Sequence, residues 1–384
     1  MIELDFNLTE EQIRLREEVH QFVQEEVSPV VGEYDAKDEF PKQIAEMAFE
    51  RGFMNVRIPT KYGGRGLGLL DEVIITEELA YGGVGIATSI NVNSLGFEPI
   101  LLAGTEEQKE KYLTSLTQKL SFVAFAFSET VVGSDVAGIE CKAWKEGDEY
   151  VLDGSKFWIT NAILADLFVL FAKTGENRKE LTAFIVPANL AGIKVSPPVK
   201  KLGIRESPTS AISFKQVRIP EENLLGQEGE GFKIAMNTFN ASRPAIGAFG
   251  IGLARHALDL AIDYAKERKA FTVPLANFQM IQELIAHMVI GIEAAKGLTY
   301  KAAWLIDNNT PNLTISSCAK VYSSEVAMRA ALDCLQIWGG RGYLRTNPVE
   351  KLVRDAKVLE IYEGTTQIQK VVISGAALSG EYKS

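Results

Sequence analysis

Apolar residues recur at helical spacing in the first third of the chain. Leu15, Val19, Phe22 and Val23 fall on one helical face. The preceding TEEQ, Thr9 to Gln12, is a capping box that opens this helix. RIPTKYGGRGLG at 57–68 is rich in Pro and Gly and reads as a connection. Further helices are predicted over 71–81 and around 108–116. Near Ser121 the period changes. SFVAFAF, EYVLDGSKFWIT, ADLFVLFAK, LTAFIVP and SAISFKQVRIP are short, rich in aromatic and β-branched residues, and separated by turn residues. They read as strands of a small antiparallel barrel or sandwich, not of a βαβ array. After Gly231 the helical pattern returns, over roughly 232–269, 278–308 and 315–338.

The expected fold class is α+β and multidomain. An N-terminal helical domain spans 1–120, a middle antiparallel β-barrel-like domain 121–231, and a C-terminal four-helix bundle 232–384. A chain of 384 residues fits such a division. Hydrophobic residues make up 46% and charged residues 23%, as in a soluble globular protein. The net charge of -10 argues against nucleic acid as a partner. Cys141, Cys318 and Cys334 show no CxxC spacing, so neither disulfides nor a zinc site is expected. The N-terminal MIELDFNLTEEQ has no basic n-region and no apolar h-region, and no long uncharged apolar stretch predicts membrane insertion. A cytoplasmic location, or an organelle matrix for a processed protein, is the expectation.

The common catalytic motifs are absent. No GxGxxG follows a strand into a helix, no GK[ST] exists, and no GxSxG appears. His20, His256 and His287 lie far apart, which excludes HExxH. What remains is a carboxylate in IYEGTTQIQ, Glu363, with few charges near it. Such a group is either solvated or, in apolar surroundings, raised in pKa until it serves as a base.

FAFSETVVGSD (from Phe125), KFWITN (from Lys156), ERKAF (from Glu267), QIWGGRGY (from Gln336) and IYEGTTQIQ occur in that order. Together with DFNLTEEQ, the string resembles the acyl-CoA dehydrogenase family over essentially the whole chain. The resemblance implies FAD, an acyl-CoA thioester substrate, a homotetramer built as a dimer of dimers, and electron delivery to an electron-transfer flavoprotein. The implied reaction is α,β-dehydrogenation of a short, medium or cyclic acyl-CoA to the 2-enoyl-CoA. The rivals are an acyl-CoA oxidase on the same scaffold and a non-catalytic helical scaffold protein.

By this resemblance Glu363 is the base, and its N–H and a ribityl hydroxyl of FAD hold the thioester oxygen. Tyr362 and Gly364 border the acyl group. Some family members place the base on a C-terminal helix. The matching residue here is Ser242, which cannot serve as that carboxylate. Phe125, Phe127 and Ser128 enter a loop against the flavin, and Ser134 lies near FAD and the CoA portion. This loop carries Thr130, Val131 and Val132 where the family has small turn-forming residues. Strand alternation puts Trp158 and Thr160 on one side, with Ile159 between them, and the resemblance sets them against the flavin ring. Arg268, with Phe271, meets the FAD pyrophosphate. Phe278 and Gln279 match an FAD-binding pair, although His is common where Phe278 stands. Gln336, Gly339 and Gly340 reach the FAD of a neighbouring subunit, and Thr365 and Gln367 add further contacts. Asn240, where many members have Asp, and Arg243 bind CoA. The acyl pocket is expected along 88–97, where Asn91, Asn93 and Ser94 either cap helix termini or face a polar acyl group.

Overall fold

The computed structural model describes residues 7–382. Its first part is helical: α1 (Glu10–Phe22), running on through a π-turn at Val23–Val27, α2 (Val31–Lys37), α3 (Lys42–Glu50), α4 (Leu69–Gly82), α5 (Val84–Ala103) and α6 (Glu106–Gln118). The capping box predicted at Thr9 is formed, with both reciprocal hydrogen bonds to Gln12. Thr105 and Gln108 repeat the device at α6.

Helix α5 is not signalled by periodicity. It is apolar on nearly every side and is buried along most of its length, so no amphipathic stripe marks it. It lies so close to the sheet that a Cβ on Gly96 would meet the Val123 carbonyl oxygen at 2.3 Å. Asn91, Asn93 and Ser94 lie inside this helix, so they do not cap its ends. Asn91 Nδ2 donates to Thr76 Oγ1 at 2.6 Å. Asn93 Nδ2 donates to the Ser121 carbonyl at 2.8 Å, and its Oδ1 accepts from Val123 N. Ser94 faces the buried Glu72. These side chains tie α5 to α4 and to the sheet, which removes the support for a polar acyl pocket.

The middle part is an eight-stranded sheet: β1 (Val123–Ala126), β2 (Lys142–Glu146), β3 (Glu149–Thr160), β4 (Leu167–Lys173), β5 (Leu181–Pro187), β6 (Ile193–Val195), β7 (Thr209–Pro220) and β8 (Leu224–Leu225). The spatial order is β6-β7-β3-β2-β4-β5-β8, with β1 on β4. The sheet is mainly antiparallel, with two parallel strand pairings that depart from the expected pattern. β2 meets β4 in parallel at Lys142 opposite Lys173. β1 runs parallel to β4, from Val123 opposite Leu167 to Ala126 opposite Leu170. The long excursion through β2 and β3 supplies the crossover that a parallel pair requires. β2 is short and carries Lys142, Lys145 and Glu146, and it escapes sequence recognition for that reason.

The C-terminal part holds α7 (Gly231–Glu267), a small β9–β10 hairpin (Lys269–Ala270 and Val273–Pro274), α8 (Gln279–Asp307), α9 (Leu313–Trp338), α10 (Val349–Leu359) and α11 (Thr366–Ser379). Helix α7 is long and apolar enough to cross a membrane, but its most apolar stretch is mostly buried, and the helix packs against α4, α8 and α9. One hydrophobic core joins the helices and a second fills the sheet with α5, α6 and the start of α7. Where the three parts meet, Arg354 of α10 pairs with Asp35 at 2.7 Å, and Lys351 pairs with Glu206 at 2.8 Å and with Asp355.

Candidate active site

The α10–α11 connection builds the centre of the site. Helix α10 is strongly amphipathic and stops at Leu359. The chain then turns on itself, with Thr366 N donating to the Glu360 carbonyl at 2.9 Å. Thr365 caps α11 by accepting from Ile368 N at 3.2 Å. Within this turn Glu363 has φ 54° and Gly364 φ 87°. A left-handed glutamate is uncommon and costs on the order of 1 kcal/mol, so the surroundings must hold it there. Gln369 Nε2 donates to the Glu363 carbonyl at 3.1 Å, and Lys320 Nζ to the Gly364 carbonyl at 2.8 Å. At φ 87° Gly364 suits glycine, and a Cβ there would meet Gln369 Nε2 at 2.3 Å and push aside the amide that holds the Glu363 carbonyl.

The turn carries the Glu363 carboxylate against α7. Ser242 Oγ lies 2.8 Å from Glu363 Oε2, and the Phe239 carbonyl lies 3.2 Å from the same hydroxyl. One hydroxyl therefore suits both protonation states: it donates to the carboxylate, or accepts from the acid while donating to Phe239. Burial pushes the Glu363 pKa up, and the Ser242 hydrogen bond and the Arg243 and Lys320 charges oppose part of the rise. Burial also pulls Arg243 down to about 10 and Lys320 down to about 8. Glu363 is half-buried and held by Ser242, so it is not a freely solvated surface group.

Unpartnered polar atoms point to a ligand beside this carboxylate. The Tyr362 hydroxyl is buried near Thr88, and Asn240 Oδ1 and Arg243 Nε are buried close by in sequence. None of the three atoms has a hydrogen-bond partner among the described residues. Arg243 contacts Ser317 Oγ at 3.3 Å and makes no ion pair among those residues. Buried polar atoms are normally satisfied, so this set fits a polar ligand.

The sheet side is joined to α7 by rings. Phe125 and Phe127 stack at 5.8 Å, and each packs against Phe239. Their side chains are core, as is that of Ile159, so these positions offer a ligand mainly backbone. Strand β3 is irregular where the expectation relied on simple alternation. A register shift falls between Lys156 and Ile159, and Trp158 has φ 58°. The bulge turns the Trp158 indole out, 53% exposed, while Thr160 stays half-buried. Ser128 is half-buried and Ser134 exposed. A large exposed aromatic beside hydroxyls is an open platform suited to a planar ring.

A second cleft of about 530 Å³ lies at the far end of α7 and α9. Arg268 and Tyr264 line it with Trp338, Gly339, Gly340 and Leu344. Gly339 has φ 57° and ends α9, and a Cβ at Gly339 or Gly340 would meet nothing within 4 Å. The Gly339 N–H is spent closing α9 on the Leu335 and Gln336 carbonyls, so the glycines give the cleft an open backbone surface beside Arg268 and Arg341, two cations that suit a pyrophosphate. Phe278 caps α8, Gln279 begins it, and Phe271 and Gln336 are exposed. Gln367 is exposed on α11. The residues present fit FAD: an aromatic platform at one place, a cationic glycine-rich cleft at another.

Three supporting residues escaped sequence reasoning. Ser242 was seen only as a missing carboxylate, and Lys320 and Gln369 were not signalled, because their roles depend on a turn distant in sequence. Ser242→Ala removes a donor that favours the charged form. The acid limb of the pH–rate profile is expected to move up by about one unit, at unchanged FAD content.

Family models match all three parts: the acyl-CoA dehydrogenase N-terminal domain over residues 9–119, the middle domain over 124–217 and the C-terminal domain over 229–378. A probable acyl-CoA dehydrogenase of Bacillus subtilis is 40% identical, covering 97% of this chain and 99% of that protein. Butyryl-CoA dehydrogenase from Megasphaera elsdenii superposes with a TM-score of 0.95 at 38% identity, over 98% of this chain and 100% of that one. An acyl-CoA dehydrogenase from Bacillus anthracis, solved with FAD, gives 0.92 at 32% identity, over 99% of this chain and 69% of that one. With the Ser242-held Glu363 and the FAD-compatible residues already in view, these matches settle the family. The chain belongs to the acyl-CoA dehydrogenases, FAD-dependent oxidoreductases.

Proposed function

We propose that the protein oxidises a short, medium or cyclic acyl-CoA to its 2-enoyl-CoA, with Glu363 as the base, and passes the electrons to an electron-transfer flavoprotein. The observation that carries this reading is the half-buried Glu363 carboxylate, held on a left-handed turn against Ser242, with burial pushing its pKa up. Its raised pKa brings its basicity toward the working range. Among the described residues the Glu363 N–H has no hydrogen-bond acceptor. It is therefore available to a thioester oxygen, where it would stabilise the charge that builds as the α-proton leaves. The proton ends on the Glu363 carboxylate. Bound FAD supplies the acceptor for the hydride lost from the β-carbon.

Trp158, Thr160 and Ser128 would hold the ring of FAD. Arg268 and Gln279 would hold its pyrophosphate, with Thr365, Gln367, Phe271 and Phe278 adjoining, and Gln336, Gly339 and Gly340 would reach the FAD of a neighbouring subunit. Asn240, Arg243 and Ser134 would hold CoA, and Tyr362 and Gly364 would border the acyl chain. The likeness to a butyryl-CoA dehydrogenase supports the short end of the acyl range. A homotetramer is supported by apolar side chains left exposed on and next to α8, Phe271, Met280 and Ile290 among them.

The test is an anaerobic titration with butyryl, isobutyryl, cyclohexanecarbonyl, glutaryl and palmitoyl thioesters, followed by reoxidation with electron-transfer flavoprotein or with oxygen. Fastest flavin reduction by a short, medium or cyclic chain, with slow oxygen reoxidation, is expected. A clear preference for palmitoyl-CoA, or rapid reoxidation by oxygen, would overturn the substrate or acceptor assignment respectively.

A further inference from the structure

Lys320 lies in α9 with its side chain fully buried. Lysine is rarely so buried without a carboxylate partner, because desolvating an ammonium is costly. Here no carboxylate oxygen lies within ion-pair distance among the described residues, whereas the buried Lys156 and Lys351 both have one. The hydrogen bond Lys320 makes is to the Gly364 carbonyl, at 2.8 Å. An apolar side chain of similar length would fill the space without the cost, so a purely structural role accounts poorly for lysine at this position.

The location explains it. The Gly364 carbonyl belongs to the left-handed Glu363–Gly364 pair, and Gln369 holds the neighbouring Glu363 carbonyl at 3.1 Å. Two side-chain donors thus pin consecutive carbonyls of the turn that aims the carboxylate. The charged groups facing Lys320 are Glu363 and Glu360 from the α10–α11 side and Arg243 from α7. Those facing Glu363 are Arg243 and Lys320, with the neutral Ser242.

We propose that Lys320 is a positioning residue for the base: through the Gly364 carbonyl it fixes the left-handed turn that aims the Glu363 carboxylate, and it brings a buried cation to that turn. The proposal rests on the reading of Glu363 as the base. Burial lowers Lys320 to about 8, which still leaves it mostly protonated at neutral pH, where its charge acts on Glu363.

The test compares Lys320→Met and Lys320→Gln with the wild type, all loaded with FAD, and includes Glu363→Gln. The first readout is the pH dependence of anaerobic flavin reduction by butyryl-CoA. Loss of the cation is expected to move the acid limb up by about one unit in both lysine variants, a roughly tenfold slower reaction below the limb. Gln retains a donor for the Gly364 carbonyl and is expected to recover more of the high-pH plateau than Met. The second readout is thermal stability against pH, which does not depend on activity. A lysine whose folded pKa is lowered binds its proton more weakly than in the unfolded chain. Wild type is therefore expected to gain stability relative to Lys320→Met as pH rises from about 8 to about 10.5.

An unchanged limb and plateau in Lys320→Met, or parallel stability curves, would overturn the proposal. If Lys320→Met does not fold, Lys320→Gln decides by the same two readouts. If Glu363→Gln keeps the wild-type rate, the base reading falls and this proposal with it. If Glu363→Gln is inactive while both lysine variants behave as wild type, the Lys320 proposal alone falls.

Discussion

Glu363→Gln is expected to bind FAD normally and to lose flavin reduction by acyl-CoA, with the rate constant lower by about 10³ or more. The substitution is nearly isosteric. Its amide oxygen still accepts from Ser242, and the backbone pinned by Lys320 and Gln369 is untouched. What disappears is the lone pair that takes the α-proton. Stopped-flow absorbance checks the loss, and the spectrum of the resting protein checks that FAD is retained. Stability should move the other way. A carboxyl whose folded pKa is raised contributes stability below its unfolded value that is lost as pH rises through the folded value. Above that range the wild type carries a desolvated carboxylate and the amide does not. The variant is therefore expected to melt at the same temperature or higher at neutral pH, and a large drop in melting temperature would mean that Glu363 serves the fold.

Lys156→Met is expected to have the largest effect on stability. Lys156 is fully buried in β3 and donates to Glu129 Oε1 at 2.8 Å and to the Phe127 carbonyl at 2.9 Å. Glu129, itself buried, also accepts from the backbone N–H groups of Glu140 and Cys141. The pair closes the loop that leaves β1 and returns to β2. Removing the cation strands a buried carboxylate and costs about 3–5 kcal/mol. In a protein of this size that lowers the melting temperature by on the order of 10 °C. Adding Glu129→Gln removes the stranded charge while keeping an acceptor for one N–H, and part of the loss should return. Calorimetry of the three proteins checks both statements. If the single variant melts within a degree or two of wild type, the pair does not hold the loop.

The loop this pair anchors carries Thr130, Val131 and Val132. Glu129 and Val132 bridge to each other, and Val131 stands 69% exposed at the tip.

The helical, β, helical order was legible in the sequence because amphipathic helices and short aromatic strands have distinct periods. Helix α5 was not, since burial on nearly all sides erases its period, and β2 was hidden by its charges. Alternation along β3 misled at Trp158, where a bulge breaks the ladder. At the site, Glu363 was visible as a carboxylate in an apolar motif, and its motif led to the family. Its hydrogen-bond partner was not visible. Ser242 lies 121 positions away, and only the packing of α7 against the α10–α11 turn brings the two together. Lys320 had no motif at all, for a buried lysine is known as such only once its surroundings are folded.

The central claim is that this chain is a flavin-bearing acyl-CoA dehydrogenase whose base is Glu363. The most direct test is the visible spectrum of the FAD-loaded protein mixed anaerobically with butyryl-CoA, wild type beside Glu363→Gln. The account predicts that the flavin band bleaches in the wild type and persists in the variant. Bleaching of both at the same rate, or of neither with any acyl-CoA offered, would contradict it.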